Sequence, residues 1–243
     1  MKELAILTAT RGEQGLLVAR LEAGVCRVWA GRRRWSGILA GLRVQLIETG
    51  LGAVNAAQAA TALLEAARPD LVIQAGVGGA YPGSGLRVGE LAVATAENYG
   101  DLGVRTPAGW QSGEFIGIPL AEPGGHPLYN RFDLDPRLVA RAVALLVEGL
   151  GAPVRAGPFV TVQECTGTLP LAAERAGLFP GALCENMEGV AAAHVCRLYE
   201  APFLELRAMS NLVEERRRET WDLAGAAARA QEATLCLIPE IAA

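Results

Sequence analysis

Apolar and polar positions along the chain switch between two periods, and the switching sets out the predicted elements. Leu4-Ala5-Ile6-Leu7 is an unbroken apolar run of the kind a strand covered on both faces requires. Thr10 followed three residues later by Glu13 has the form of a capping box and predicts a helix through Leu21. Val25 to Ala30 and Val44 to Thr49 read as strands around a turn at Gly31-Arg32-Arg33-Arg34. Val54 to Ala67 carries apolar residues at helical spacing, with Pro69-Asp70 as its stop. Leu71-Val72-Ile73 is another buried strand that runs into a glycine-rich segment, Gly76 to Gly85, and Glu90 to Thr95 returns as a strand. Residues 99 to 130 hold glycines, prolines and aromatics without a period, which predicts a long functional loop.

The second half repeats the alternation. Asp135-Pro136 caps and starts a helix with a stripe at Val139, Val143, Leu146 and Leu150, and Gly151 ends it. A strand from Phe159 to Val162, a helical stretch near Leu171 to Arg175 and a strand around Ala182 to Met187 follow. Then come a helix from Glu188 to Tyr199, a strand from Phe203 to Ala208 and a helix from Trp221 to Leu237. Strands alternating with helices predict an α/β fold, a three-layer α/β/α sandwich with a mixed, mainly parallel central sheet. No repeat, low-complexity tract or linker interrupts it, so residues 1–243 are read as one domain.

Composition narrows the chemistry. A chain of 243 residues with 51% in the hydrophobic class and 20% charged excludes disorder. Lys+Arg of 22 against Asp+Glu of 26 lacks the basic surplus of a phosphate-backbone binder, so no nucleic-acid partner is expected. Five cysteines with no C-x-x-C pair form neither a disulfide framework nor a zinc motif, and are read as small buried hydrophobes of a reducing cytosol. With only His126 and His194, a histidine metal site or a Ser-His-Asp triad is not expected. The sequence shows neither a signal-peptide core nor an uncharged apolar stretch of membrane-spanning length, which predicts a cytoplasmic protein with no membrane partner.

Ligands of such sheets bind beyond the carboxyl ends of strands. That places the candidate chemistry at Thr10 to Glu13, Gly76 to Gly79, Asn186-Met187-Glu188 and Ser210-Asn211. The Gly76 segment is not a dinucleotide fingerprint, because Pro82 and further glycines stand where a helix should open, and it lacks the Gly-Lys-Ser/Thr of a phosphate loop. It fits a backbone that a flat ligand approaches closely, or a tight crossover packed on the sheet.

Together these segments resemble the nucleoside phosphorylase and nucleosidase superfamily, in its branch of methylthioadenosine/adenosylhomocysteine nucleosidases and futalosine hydrolases. The likeness spans nearly the whole chain. It rests on Thr8-Ala9-Thr10-Arg11-Gly12-Glu13, Gly76-Val77-Gly78-Gly79, the run from Glu185 to Cys196 and Arg207-Ala208-Met209-Ser210-Asn211. Breaking a ribose–purine bond builds positive charge on the sugar and negative charge on the base, so a catalyst needs a water positioner, a ribose clamp and a group that stabilises the departing purine. The resemblance implies Glu13 as the base for water, Glu188 as the ribose clamp, Met187 lining the sugar and Arg207 orienting the carboxylates. Each acid also has a structural reading, Glu13 as capping-box partner of Thr10 and Glu188 as a first-turn acid on a helix dipole. Base-stacking contacts are placed loosely near Phe159 and Gln163 to Thr166, and Trp221 corresponds to an aromatic that covers the 5′ group.

Asn211 departs from the branch. The adenine-cleaving nucleosidases have an aspartate here, whereas an asparagine presents an NH₂ donor for a 6-oxo group and a carbonyl acceptor for an N7–H, favouring hypoxanthine or guanine. Superfamily phosphorylases hold phosphate with an arginine before the glycine segment and a serine within it, and this chain has Gln74 and Val77 there, which favours water as nucleophile. Arg217, in the cluster Arg216-Arg217-Arg218, is the candidate for holding a carboxylate on the 5′ side, with a solvated loop as the alternative. The resemblance therefore implies hydrolysis of futalosine to hypoxanthine and dehypoxanthine futalosine in menaquinone synthesis, without metal or organic cofactor. The alternatives are a methylthioadenosine/adenosylhomocysteine nucleosidase, a 6-oxopurine nucleoside phosphorylase and a non-catalytic nucleoside-binding protein. A homo-oligomer is expected.

Overall fold

Strand β1 (Glu3–Thr8) is buried from Leu4 onward, as its apolar run requires, in the computed structural model, which describes residues 2–241. A short 3-10 turn at Arg11–Glu13 and helix α1 (Gly15–Ala19) follow. Strands β2 (Glu22–Trp29), β3 (Arg32–Leu39) and β4 (Leu42–Glu48) form an antiparallel meander before helix α2 (Ala53–Ala66). Strands β5 (Leu71–Ala80) and β6 (Leu91–Tyr99) precede the hairpin β7 (Gly103–Thr106) and β8 (Gly109–Ser112), the single turn α3 (Gly113–Ile116) and β9 (Arg131–Asp133). The remainder runs α4 (Pro136–Leu150), β10 (Val154–Thr161), α5 (Leu169–Leu178), β11 (Cys184–Asn186), α6 (Gly189–Leu198), β12 (Phe203–Leu212) and α7 (Leu223–Ile241).

The sheet has the order β11-β10-β6-β12-β5-β1-β4-β3-β2, with β9 on β6. It is mixed: β1 lies parallel to β4 and β5, and β10 to β6 and β11, while the meander, β9 and the β12–β6 contact are antiparallel. Helix α2 packs on α6, and α4 on α7, giving the two helical layers. One feature positions the site: β11 also pairs antiparallel with β5, so β5, β12, β6, β10 and β11 close on themselves and their ends meet at one mouth. The strong stripe of α4 is buried at Val139, Ala142 and Leu146, Asp135 Oδ1 accepts from Arg137 N at 2.8 Å, and Gly151 ends the helix at φ 60°.

Several expectations are corrected. The capping box forms, but it closes a 3-10 turn and α1 stops at Ala19 rather than Leu21. Arg32 to Arg34 are not a turn; they begin β3, an element the sequence reading missed. Their charges are used across the meander, Arg33 on Glu48 at 3.4 Å and Arg34 over the Trp29 ring at 4.9 Å, so a basic run reads as strand. Gly76 to Gly79 are not a loop but the second half of β5, and Asn211 lies within β12 rather than after it. Residues 99 to 130 are not one irregular loop, since they hold the β7–β8 hairpin and α3. Of the cysteines only Cys184 and Cys196 are buried, and Cys26 is exposed. Among the described residues, no helix is long and apolar enough to cross a membrane.

Candidate active site

The cavity at the mouth of the closed strands measures about 1040 Å³. Its walls come from the ends of β5, β11 and β12, the turn after β1 and the start of α7. Val77, Gly78, Thr166, Met187, Glu188, Arg207, Asn211, Trp221 and Glu13, all singled out from sequence, line it. Glu13 is buried, and its carboxylate serves the turn and the cavity at once. Oε2 accepts from Thr10 N at 2.9 Å and Thr10 Oγ1 at 2.8 Å, while Oε1 accepts from Val77 N at 3.0 Å. The capping-box and site readings of this residue are therefore one arrangement.

Glu188 enters from the residue before α6. Its Oε1 accepts from Gly52 N at 2.9 Å and its Oε2 meets Arg207 Nη1 at 3.3 Å. Arg207, whose side chain is 1% exposed, also donates from Nε to Glu205 Oε1 at 2.8 Å and from Nη1 to Val77 O at 3.1 Å. Burial alone would lower its pKa, but Glu205 and Glu188 outweigh that and hold it above the usual arginine value. Arg207 is therefore a permanent cation between two acids. Gly76 does not line the cavity. A Cβ on it would lie 2.5 Å from Glu13 Oε1 and 3.0 Å from Arg207 Nη1, so its lack of a side chain makes room for both.

Behind Arg207 lies a cluster the sequence reading did not pick out. Thr161 Oγ1 donates to Glu97 Oε2 at 2.7 Å and Asn186 Nδ2 donates to Glu97 Oε1 at 2.6 Å. Burial, then the charge of Glu205, pushes the Glu97 carboxyl well above the usual range. Burial also raises the Glu205 carboxyl, against the lowering effect of the Arg207 charge, and among the described residues its Oε2 has no hydrogen-bond partner. The signal was present: Glu97 closes the largely apolar stretch Leu91 to Ala96 and Glu205 lies between Leu204 and Leu206, where an unpaired charge would be too costly.

Besides Gly76, three sequence candidates fall elsewhere. Phe159 is fully buried in the core beneath β10 and does not reach the cavity. Gln163 is exposed; its Oε1 accepts from Ala53 N at 3.1 Å, and its backbone N donates to Asp101 Oδ2 at 2.5 Å. Arg217 pairs with Glu214 at 3.0 Å on the surface, and its neighbour Arg216 lines the cavity instead, with its guanidinium 4.9 Å over the Trp221 ring. Gln74 is buried away from the cavity, so only Val77 of the two phosphate-site positions meets it. His194 is a packed residue, stacked 4.5 Å from Phe132 with Nδ1 3.0 Å from Tyr99 Oη, and burial lowers its pKa.

Residues 3–238 match the phosphorylase superfamily. The chain belongs to that superfamily. It is 33% identical over 217 residues, 87% of this chain and 85% of the relative, to a 5′-methylthioadenosine/S-adenosylhomocysteine nucleosidase of Chromohalobacter salexigens. Among solved structures it resembles the Neisseria meningitidis nucleosidase of that name in complex with methylthio-immucillin-A, at TM-score 0.86 and 27% identity, covering 98% of this chain and 99% of that one. The Streptococcus pneumoniae nucleosidase with a transition-state inhibitor is similar at TM-score 0.83 and 25% identity, with 98% of each chain covered. Residues 3–238 include every residue that lines the cavity, so the likeness extends over all its walls.

Proposed function

We propose that this chain is a purine nucleosidase, one domain that hydrolyses the N-glycosidic bond of a nucleoside with water as nucleophile. The observation that carries the reading is the pair of buried carboxylates, Glu13 and Glu188, that both line the cavity and are held by Val77 N and Arg207. Glu13 takes a proton from the attacking water. Glu188 accepts from the ribose hydroxyls and stabilises the positive charge that grows on the sugar. Arg207 positions Glu188 without touching the sugar. The likeness to nucleosidases crystallised with transition-state inhibitors supports the same chemistry. Water is favoured over phosphate because the Val77 side chain has no donor, its backbone N–H is already given to Glu13, and the Glu13 carboxylate repels a dianion.

For the substrate, two neighbours fix the Asn211 amide: its Oδ1 accepts from Ser210 Oγ at 2.8 Å and its Nδ2 donates to Leu212 O at 2.9 Å. One N–H and one lone pair remain for a base, the pattern that suits a 6-oxopurine leaving as its N7–H form. Arg216, beside Trp221, stands where an anionic 5′ extension would meet a cation. Futalosine has both features and is the proposed substrate. The second reading, hydrolysis of methylthioadenosine or adenosylhomocysteine, is favoured by the 33% identical relative. The deciding experiment incubates the protein with futalosine, inosine and methylthioadenosine, each with and without phosphate, and identifies the released base. Hypoxanthine from futalosine in phosphate-free buffer is expected; adenine alone selects the second reading, and strict phosphate dependence overturns hydrolysis.

Two variants follow from these contacts. Asn211→Asp turns the donor facing O6 into an acceptor, and the ratio of 6-oxo to 6-amino turnover is expected to fall about tenfold or more, in line with the cost of an unpaired buried group. An unchanged ratio removes Asn211 from base reading. Arg216→Met is expected to raise KM for futalosine about tenfold while leaving inosine unaffected, because inosine has no charge for it to meet. Equal KM values in variant and parent would place the carboxylate elsewhere.

A further inference from the structure

Glu185 is a buried cavity-lining acid that the hydrolytic chemistry does not use. Its Oε2 accepts from Tyr81 Oη at 2.9 Å and Thr166 Oγ1 at 2.5 Å, and Arg175 Nη1 lies 3.3 Å away. Among the described residues its Oε1 accepts only from Thr166 N, at 2.8 Å. Arg175 is itself buried and also donates to Thr166 Oγ1 at 2.5 Å. Burial, then the Glu185 charge, pushes the Tyr81 phenol well above its usual range, so Tyr81 stays a donor. Three donors thus converge on Oε2 and hold the carboxylate rigid, while Oε1 keeps a lone pair.

The register places this acid opposite Asn211. Glu185 of β11 pairs with Gly79 of β5, and Asn211 of β12 pairs with the same Gly79 from the other side. The register shifts between Met209 and Asn211, yet Asn211 stays on the Gly79 face, its Nδ2 beside the place a Gly79 Cβ would take, so Glu185, Gly79 and Asn211 form one row with no side chain at its middle. A Cβ at Gly79 would approach Val213 to 2.8 Å and Asn211 Nδ2 to 3.1 Å, so the gap at the centre of the row is required. Two strand spacings of about 4.8 Å set the flanking backbones about 10 Å apart, so side chains that rise from them on one face flank a gap that takes one purine edge with a hydrogen bond at each end.

We infer that Glu185 is a specificity-determining residue whose Oε1 accepts the N1–H of a 6-oxopurine, while Asn211 meets the O6 and N7 side of the same edge. The chemistry is selective in both directions. A 6-oxopurine carries a proton on N1 and is met by the carboxylate; a 6-aminopurine carries a lone pair on N1, which the carboxylate repels. The inference deepens the proposed substrate class and rests on that reading, yet it concerns the binding of a base rather than bond cleavage.

The test is therefore calorimetric titration of the whole protein with free bases, hypoxanthine against adenine, with catalysis measured separately. The parent is expected to bind hypoxanthine at least tenfold more tightly than adenine. Glu185→Gln is expected to lose tenfold or more on hypoxanthine and nothing on adenine. Because Glu185→Gln leaves Arg175 buried without its partner, the double variant Glu185→Gln/Arg175→Met serves if the single one does not fold, with the same loss expected. A third arm needs no variant: 1-methylhypoxanthine, which lacks the N1 proton, is expected to bind the parent at least tenfold more weakly than hypoxanthine. Equal binding of hypoxanthine to the parent and to a folded variant, or of hypoxanthine and its 1-methyl form to the parent, overturns the inference even if futalosine is hydrolysed. Selective, Glu185-dependent binding of hypoxanthine by a protein that cleaves no nucleoside would uphold it while overturning the proposed activity.

Discussion

Glu13→Gln and Glu188→Gln are each expected to lower kcat on the preferred nucleoside by about 10²–10⁴-fold, the range for removing a positioned acid–base group. Both substitutions keep the shape of the side chain and remove a charge whose value is greatest in the transition state, so the loss falls on kcat rather than on KM. At Glu13 the geometry sharpens the expectation. The carboxylate accepts on both oxygens, from Thr10 on one side and Val77 N on the other, and an amide has only one acceptor oxygen. Whichever way Gln is turned, its NH₂ faces a backbone N–H. A stability loss of about 0.5–2 kcal/mol, that of a lost helix-start cap, should accompany the fall in rate and be visible in thermal melts. At Glu188 the contact to Gly52 N survives on the amide oxygen while the charge opposite Arg207 is gone. Turnover near the parental value in either folded variant would take that residue out of the mechanism.

These two acids were legible because each follows a strand, Glu13 in the turn after β1 and Glu188 two residues after β11, where ligands of such a sheet bind, and because the flanking residues carry a motif. The capped helix α4 was legible for a similar reason: Asp135, Pro136 and Gly151 act locally, and nothing distant competes with them. The failures have a common cause in long-range contact. Gly76 to Gly79 read as a loop because glycine most often serves turns, yet here Glu13, Arg207, Cys184 and Asn211 crowd a strand that has no room for a side chain at Gly76, Gly78 or Gly79. Strand β3 was hidden because its arginines are matched by partners on β4 and β2 that the local pattern cannot show. Three consecutive arginines offer no local basis for choosing Arg216 over Arg217; only the position of Trp221 decides it. Glu185 went unread in the same way, its role being set by a register with Gly79 and by Arg175 ten residues away.

Arg207→Met is expected to cost about 3–5 kcal/mol of stability, the loss that follows when one partner of a buried ion pair is removed. The substitution preserves much of the aliphatic volume, so the effect is electrostatic. It leaves Glu205 and Glu188 charged, with 0% and 3% of their side chains exposed, and no cation between them. Glu97, itself a buried acid beside Glu205, supplies no positive charge to replace the guanidinium. The variant's remedy is to take up a further proton on folding. Its Glu205 carboxyl is raised further above the unfolded value than in the parent, so the variant binds more protons folded than unfolded. Stability bound to such a proton is present at low pH and is lost as the pH rises, so the gap between Arg207→Met and parent should widen from pH 5 to pH 8 in thermal melts. Adding Glu205→Gln to Arg207→Met removes one stranded charge and should recover part of the loss at pH 8. Melting of Arg207→Met within a degree of the parent at pH 8, or a gap that narrows as the pH rises, would show that the cluster is not held together by this cation.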